Sequence, residues 1–205
     1  MPYSPEHKTR TRARIVEHAR ILFNRKGFSE VSIDEIMAGV GLTRGGFYNH
    51  FRSKEELFTA AVASFLGGRG KTWRDEAGVD PENGGPDTVR AMIDSYLSAE
   101  HLGDLDGQCP MIALPSDIAR AGPEARAAYR ELLGAMSWLF EHNLGDGHPD
   151  PRKTAFLLSA LCVGGMVLSR TIDDAALADE LREAARTFAL RSLDRSAEPE
   201  ESAGL

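Results

Sequence analysis

The chain has 205 residues, enough for one or two domains, and its 42% hydrophobic and 27% charged content fits a soluble protein with a real core. Two cysteines, Cys109 and Cys162, exclude a disulfide framework and fit a reducing compartment. The net charge of −7 speaks against a polyanionic partner only on average, because residues 1–54 carry +5 and residues 55–205 carry −12.

In chain order, residues 1–14 are polar and basic, so no secretory leader is expected there. Ile15, Ala19, Leu22 and Phe23 share one face of a first helix, about residues 8–26, with Gly27 as its stop. Ser32 and Glu35 form a capping box that opens a short helix over 32–39. Thr43 is placed to cap the next helix, 43–50, and Ser53 with Glu56 opens a longer one that runs to about 73–76. Gly67, Gly68 and Gly70 predict a kink in that longer helix. Residues 80–86 read as a loop. Val89, Met92, Ile93, Tyr96 and Leu97 mark a helix, and Pro110 and Pro115 keep the segment 110–121 short or bent. Further helices are predicted after Pro123, over 151–172, and over 176–194. The longest apolar stretch, 155–168, falls short of the about 18 residues that span a bilayer. We therefore expect no membrane partner and a cytoplasmic, all-α chain of about nine helices, with residues 196–205 a disordered acidic tail.

The two short helices at 32–39 and 43–50, joined by a glycine-containing turn, have the spacing of a helix-turn-helix. Phe23, Ile36 and Phe51 are the expected small core under it, and Phe47 is expected to be partly core and partly a DNA contact. In such a pair the second helix enters the major groove of double-stranded DNA with its leading residues at base edges. That geometry puts Thr43 and Arg44 at the leading end of TRGGFYNHF (residues 43–51), and Arg44 can read guanine through two hydrogen bonds. Gly45 and Gly46 remove side chains where backbone would approach DNA. Tyr48, Asn49 and His50 carry hydrogen-bonding tips, and Lys54 stands in the first turn of the following helix, where phosphate is favoured.

The stretch from Ser32 to Phe58 resembles the helix-turn-helix of the TetR/AcrR family of transcriptional regulators, matching at Ile36, Gly41, Thr43, Gly45, Tyr48, His50, Phe51, Lys54 and Leu57. The likeness covers about residues 10–60, with Met37 where many members have alanine. It implies a three-helix DNA-binding domain (1–52), a larger helical ligand-binding and dimerisation domain (53–195), and a homodimer on a palindromic operator. It implies that a small-molecule effector releases the operator. It also implies phosphate contacts from Ser32, Thr43, Tyr48, His50 and Lys54, and base reading by Arg44 and Asn49.

The helix at 151–172 is apolar nearly all round, so it can face its own core on one side and a second subunit on the other, together with 176–194. The effector cavity is expected between central helices, lined by some of Phe65, Trp73, Met92, Tyr96, Met111, Met136, Trp138 and Phe140. Cys109 is a further candidate. It precedes Pro110 near a predicted helix start, where a thiolate is favoured, and in one subgroup of the resembled family a cysteine in this region senses electrophiles or oxidants. Residues 67–72 (GGRGKT) lack the first glycine and the preceding strand of a phosphate-binding loop. His142 and His148 lack metal-ligand spacing, no Ser/His/Asp set stands out, and no cofactor or catalytic role is expected. The competing reading, a helical small-molecule binder or enzyme with an incidental basic head, differs in having no steep salt dependence on DNA.

Overall fold

The computed structural model describes residues 5–145 and 148–195. The helices among them are α1 (Pro5–Glu30), α2 (Ile33–Gly39), α3 (Arg44–Phe47), α4 (Lys54–Ala63), α5 (Arg69–Glu76) and α6 (Gly85–Tyr96). They continue with α7 (Ala99–Gly103), α8 (Pro110–Ala113), α9 (Pro115–Arg120), α10 (Pro123–Asn143), α11 (Pro151–Thr171) and α12 (Ala175–Arg195). The described residues are all helix, turn and loop, with no strand. The count is twelve rather than about nine. The helix expected over 53–76 breaks into α4 and α5 around Gly67 and Gly68, Pro115 splits 110–121 into α8 and α9, and the short α7 follows α6. The tail expected at 196–205 lies outside the described residues.

The chain forms two compact units. The first holds residues up to Lys71 together with Asp104–Leu132. Its centre is apolar: Ile15, Ala19, Phe23, Ile36, Met37, Phe47 and Leu57 are fully buried, and Phe51 and Phe58 are 2% exposed. Each of these side chains larger than alanine contributes about 1.5–3 kcal/mol on leaving water. Phe23 meets Phe58 edge-on at 5.1 Å. α1 is broken at Gly27, whose φ of 76° suits glycine and ends the straight helix where the sequence predicts. The Asp117 carboxylate accepts from the Phe28 amide beside this break, at 3.3 Å.

A polar clasp holds α1 to the segment 104–109. Arg20 is 3% exposed. Its Nε and Nη2 donate to the Glu17 carboxylate at 2.9 and 2.7 Å, and its Nη1 donates to the Asp106 carbonyl. One helical turn on, Asn24 Nδ2 donates to the Gln108 carbonyl at 2.8 Å. Arg25 pairs with the Asp106 carboxylate.

The second unit holds Thr72–Gly103 and residues from Leu133 onward. α11 begins at Asp150, whose carboxylate accepts from the Lys153 amide at 3.1 Å. It buries Ala155, Leu158, Cys162, Gly165 and Met166. A Cβ on Gly165 would lie 2.9 Å from the Ala185 Cβ, so glycine is what lets α11 and α12 approach this closely. Arg182 of α12, 5% exposed, donates to the Leu97 carbonyl and pairs with Asp179 and Glu183. The other face of α11 remains apolar and uncovered within the chain: Phe156, Leu157 and Leu168 are 47, 58 and 53% exposed. Leu177 and Phe188 of α12 are 49 and 63% exposed. With 21 residues, α11 is long and apolar enough to cross a bilayer by composition alone, contrary to the expectation from 155–168. Its buried face nevertheless packs as core of this unit.

Candidate nucleic-acid interface

The turn between α2 and α3 is set by backbone bonds from Gly41 to the Ala38 carbonyl and from Leu42 to the Met37 carbonyl, at 3.0 and 2.9 Å. Gly41 takes a φ of 72°, a conformation that excludes most side chains. Ser32 caps α2 as predicted, its hydroxyl accepting from the Glu35 amide at 3.1 Å. Ser53 caps α4 in the same way. Thr43 occupies the N-cap position of α3, but its hydroxyl makes no cap hydrogen bond. The reason is local: the Gly46 amide donates instead to the Thr43 carbonyl, 3.0 Å away, in a tight first turn.

α3 is a single turn of four residues rather than the expected helix over 43–50. Two glycines weaken it, and the chain continues through 48–50 as turns held by bonds from Asn49 to the Gly46 carbonyl and from His50 to the Phe47 carbonyl. Phe47 and Phe51 anchor the turn from below, with ring centroids 5.6 Å apart; Phe47 is fully buried, so it serves as core and not as the expected DNA contact. Thr43, Arg44, Gly45, Tyr48 and Asn49 are all exposed, and Gly46 and His50 are half-buried. Tyr48 is 58% exposed although its ring packs edge-on against Phe47.

Two of the expected contact residues are already engaged. Lys54 donates to the Phe28 and Val31 carbonyls at 2.8 and 2.9 Å, and its ammonium lies 4.2 Å from the Phe28 ring centroid. It therefore ties the start of α4 to the end of α1, and replacing it would loosen this junction as well as remove a charge. Arg44 pairs with Asp34 of α2.

His50 brings in residues that the motif alone does not reveal. Its Nδ1 is buried without a hydrogen-bond partner. Its pKa is lowered from 6.5, first by desolvation and then by Lys8, Arg12 and His7. The neutral ring is thus the form the fold favours, and protonation as pH falls below 6.5 works against folding. Arg12 lies over the Phe51 ring at 4.4 Å, so the N-terminal turns of α1 add a basic flank beside α3. The available signal was the spacing of Lys8 and Arg12, four apart on one helix face.

The candidate effector residues fall in both units. Phe65, Cys109 and Met111 are buried in the first. In the second, Met92, Tyr96, Met136 and Phe140 are buried, and Trp73 is half-buried against Tyr96 with ring centroids 6.0 Å apart. His101, which the sequence reading missed, completes that ring cluster at 5.1 Å from Trp73 and 4.9 Å from Tyr96. Trp138 does not line an interior: it is 46% exposed and stacks on His142 at 4.7 Å. Cys109 is 2% exposed at the start of the four-residue α8, so its thiol is not presented to solution. Burial pushes the Cys162 thiol well above its ordinary range, which disfavours the reactive thiolate. The described residues include no group of His, Cys, Asp and Glu able to hold a metal ion.

A short helix, a glycine turn, and a second exposed helix tip flanked by basic side chains define a helix-turn-helix head. Residues 15–61 match the family described as bacterial regulatory proteins, tetR family. The Transposon Tn10 TetC protein of Escherichia coli is 46% identical over 52 residues, covering 25% of this chain and 26% of that protein. The regulator AcrR of Shigella flexneri is 43% identical over 49 residues, covering 24% and 23%. The matched stretch thus spans only 26% and 23% of those relatives' own lengths. Among solved structures, reduced E. coli NemR superposes with a TM-score of 0.71 at 18% identity, over 88% of this chain and 96% of that one. The TetR-family regulator SCO4454 of Streptomyces coelicolor gives 0.69 at 23% identity, over 93% and 97%. These structural likenesses carry the fold beyond the matched head. Residues 15–61 thus carry the helix-turn-helix of the tetR family of bacterial regulatory proteins.

Proposed function

We propose that the protein is a cytoplasmic, homodimeric DNA-binding repressor that a small molecule releases from a palindromic operator. The observation that carries the DNA-binding part is Gly45. It costs helix stability, yet a Cβ there would meet nothing within 4 Å in the chain. The chain's own packing gives no reason for glycine at this exposed position, whereas a groove wall lying against α3 does. Thr43, Tyr48, Asn49 and His50 surround it with polar tips, Arg44 reads a base, and Lys8 and Arg12 flank it with charge. Residues 1–52 serve as the DNA-binding domain and 53–195 as the effector-binding and dimerisation domain.

Dimerisation is supported by the uncovered stripe on α11 and α12. Gly164 stands in it, and a Cβ at that position would meet nothing within 4 Å, which permits a partner helix to approach closely. Two α11–α12 pairs would form a four-helix bundle, and a dimer reading two half-sites on successive turns of DNA needs its heads about 34–36 Å apart. The effector part rests on family likeness and on the Trp73, Tyr96 and His101 cluster as an aromatic surface. Nothing in the described residues recommends a catalytic role.

The test is selection of binding duplexes from a randomised pool, followed by titration across salt concentrations. A selected sequence should bind with log affinity falling linearly as log salt rises, with a slope of about −0.9 per phosphate contacted. Recovery of no sequence preference would end the reading as a specific regulator.

A further inference from the structure

Arg44 is the base-reading candidate, and it does not stand unconstrained. Its Nη1 donates to the carboxylate of Asp34, in the first turn of α2, and both side chains are 58% exposed. Asp34 is the one carboxylate paired with Arg44 among the described residues, and that bond takes a single N–H of Nη1. A bidentate contact to guanine needs only two of the five N–H donors that arginine carries. An exposed ion pair of this kind adds little to fold stability. Its position gives it another use. It links the helix that crosses the DNA backbone to the helix that enters the groove. It fixes a long side chain that would otherwise lose rotamer freedom only on binding. With α2 lying across the DNA backbone as proposed above, it also sets a negative charge near phosphates, which penalises any duplex that does not repay it through the Arg44 contact.

We propose that Asp34 is a positioning residue for Arg44: it holds the guanidinium by Nη1, turns the Nε and Nη2 edge toward a base, and lowers affinity for unrelated DNA. This inference rests on the DNA-reading role proposed above.

The experiment uses the full chain and a duplex that the wild-type protein has selected from a random pool. Affinities for that duplex and for random duplex are measured for wild type, Asp34→Asn, Arg44→Ala and the double variant. Asp34→Asn should bind random duplex more tightly and reduce the specific-to-random ratio by about tenfold, within the range that one bidentate base contact supplies. In the Arg44→Ala background the same change should leave the ratio unaltered. Asp34→Glu, which keeps the charge, should recover part of it. A purely structural role for Asp34 would weaken both duplexes alike and would leave the ratio fixed. An unchanged ratio in Asp34→Asn, or an equal loss with and without Arg44, overturns the proposal while the DNA-binding reading stands. Failure of the wild type to select any sequence overturns both.

Discussion

Under the proposed DNA-binding role, glycine at position 45 trades conformational stability for clearance. In a one-turn helix, alanine should be favoured over glycine by up to about 1 kcal/mol, and nothing in the chain obstructs its methyl group. Gly45→Ala should therefore leave the melting temperature equal or higher while weakening binding to the selected duplex at least tenfold. Calorimetry and a DNA titration on the same preparation check the two halves, and a gain in both would remove the clearance argument. Single residues also mark the limit of sequence reading here. Ser32 declares its cap because Glu35 stands three residues on and α2 is long enough to use it. Thr43 carries the same chemistry but caps nothing, since one tight turn satisfies the relevant amide through backbone. Lys54 looks like a free cation in sequence, and only folding shows that it donates to two carbonyls of the residues leading out of α1.

Among the elements, α1 does more than complete the small core. Its inner face presents Ile15, Ala19 and Phe23, which the helical period predicts. The same helix buries Arg20 and Asn24, which the period cannot predict, because their partners are carbonyls of residues 106 and 108 far along the chain. A charged residue at a near-core position reads as a surface residue until that loop is in place. Arg20→Ala should destabilise the unit that contains it by about 2–3 kcal/mol, read from a urea midpoint, because carbonyl and carboxylate acceptors lose a charged donor. Arg20→Lys should rescue little of this, since one ammonium cannot reproduce a fork that serves Glu17 and Asp106 together. Recovery of the full midpoint by lysine would show that charge alone matters there.

For the whole molecule, the apolar faces of α11 and α12 are the main feature that the isolated chain leaves unexplained. Their apolar character was plain in the sequence, and so was the all-α class, because both follow from periodicity. Which face of α11 would turn inward was not, since a helix apolar all round carries no phase. The close contact of Gly165 with Ala185 decides it, leaving Gly164 and Leu168 outward. Leu168→Arg combined with Phe188→Arg should convert a dimer to a monomer in sedimentation and sharply weaken binding to a two-half-site duplex. A wild-type protein that sediments as a monomer at micromolar concentration would remove the dimer from the proposal.

The clasp also bears on how the protein is made. Residues 5–71 leave the ribosome before the segment 104–132 that packs with them, so the polar clasp on α1 is completed only by chain synthesised later. Until then Arg20 and Asn24 have water in place of the Asp106 and Gln108 carbonyls. A head cut out after its helix-turn-helix and fused to another protein would keep that unfinished surface. Its transplantation into chimeric regulators should succeed only when residues 104–120 travel with it.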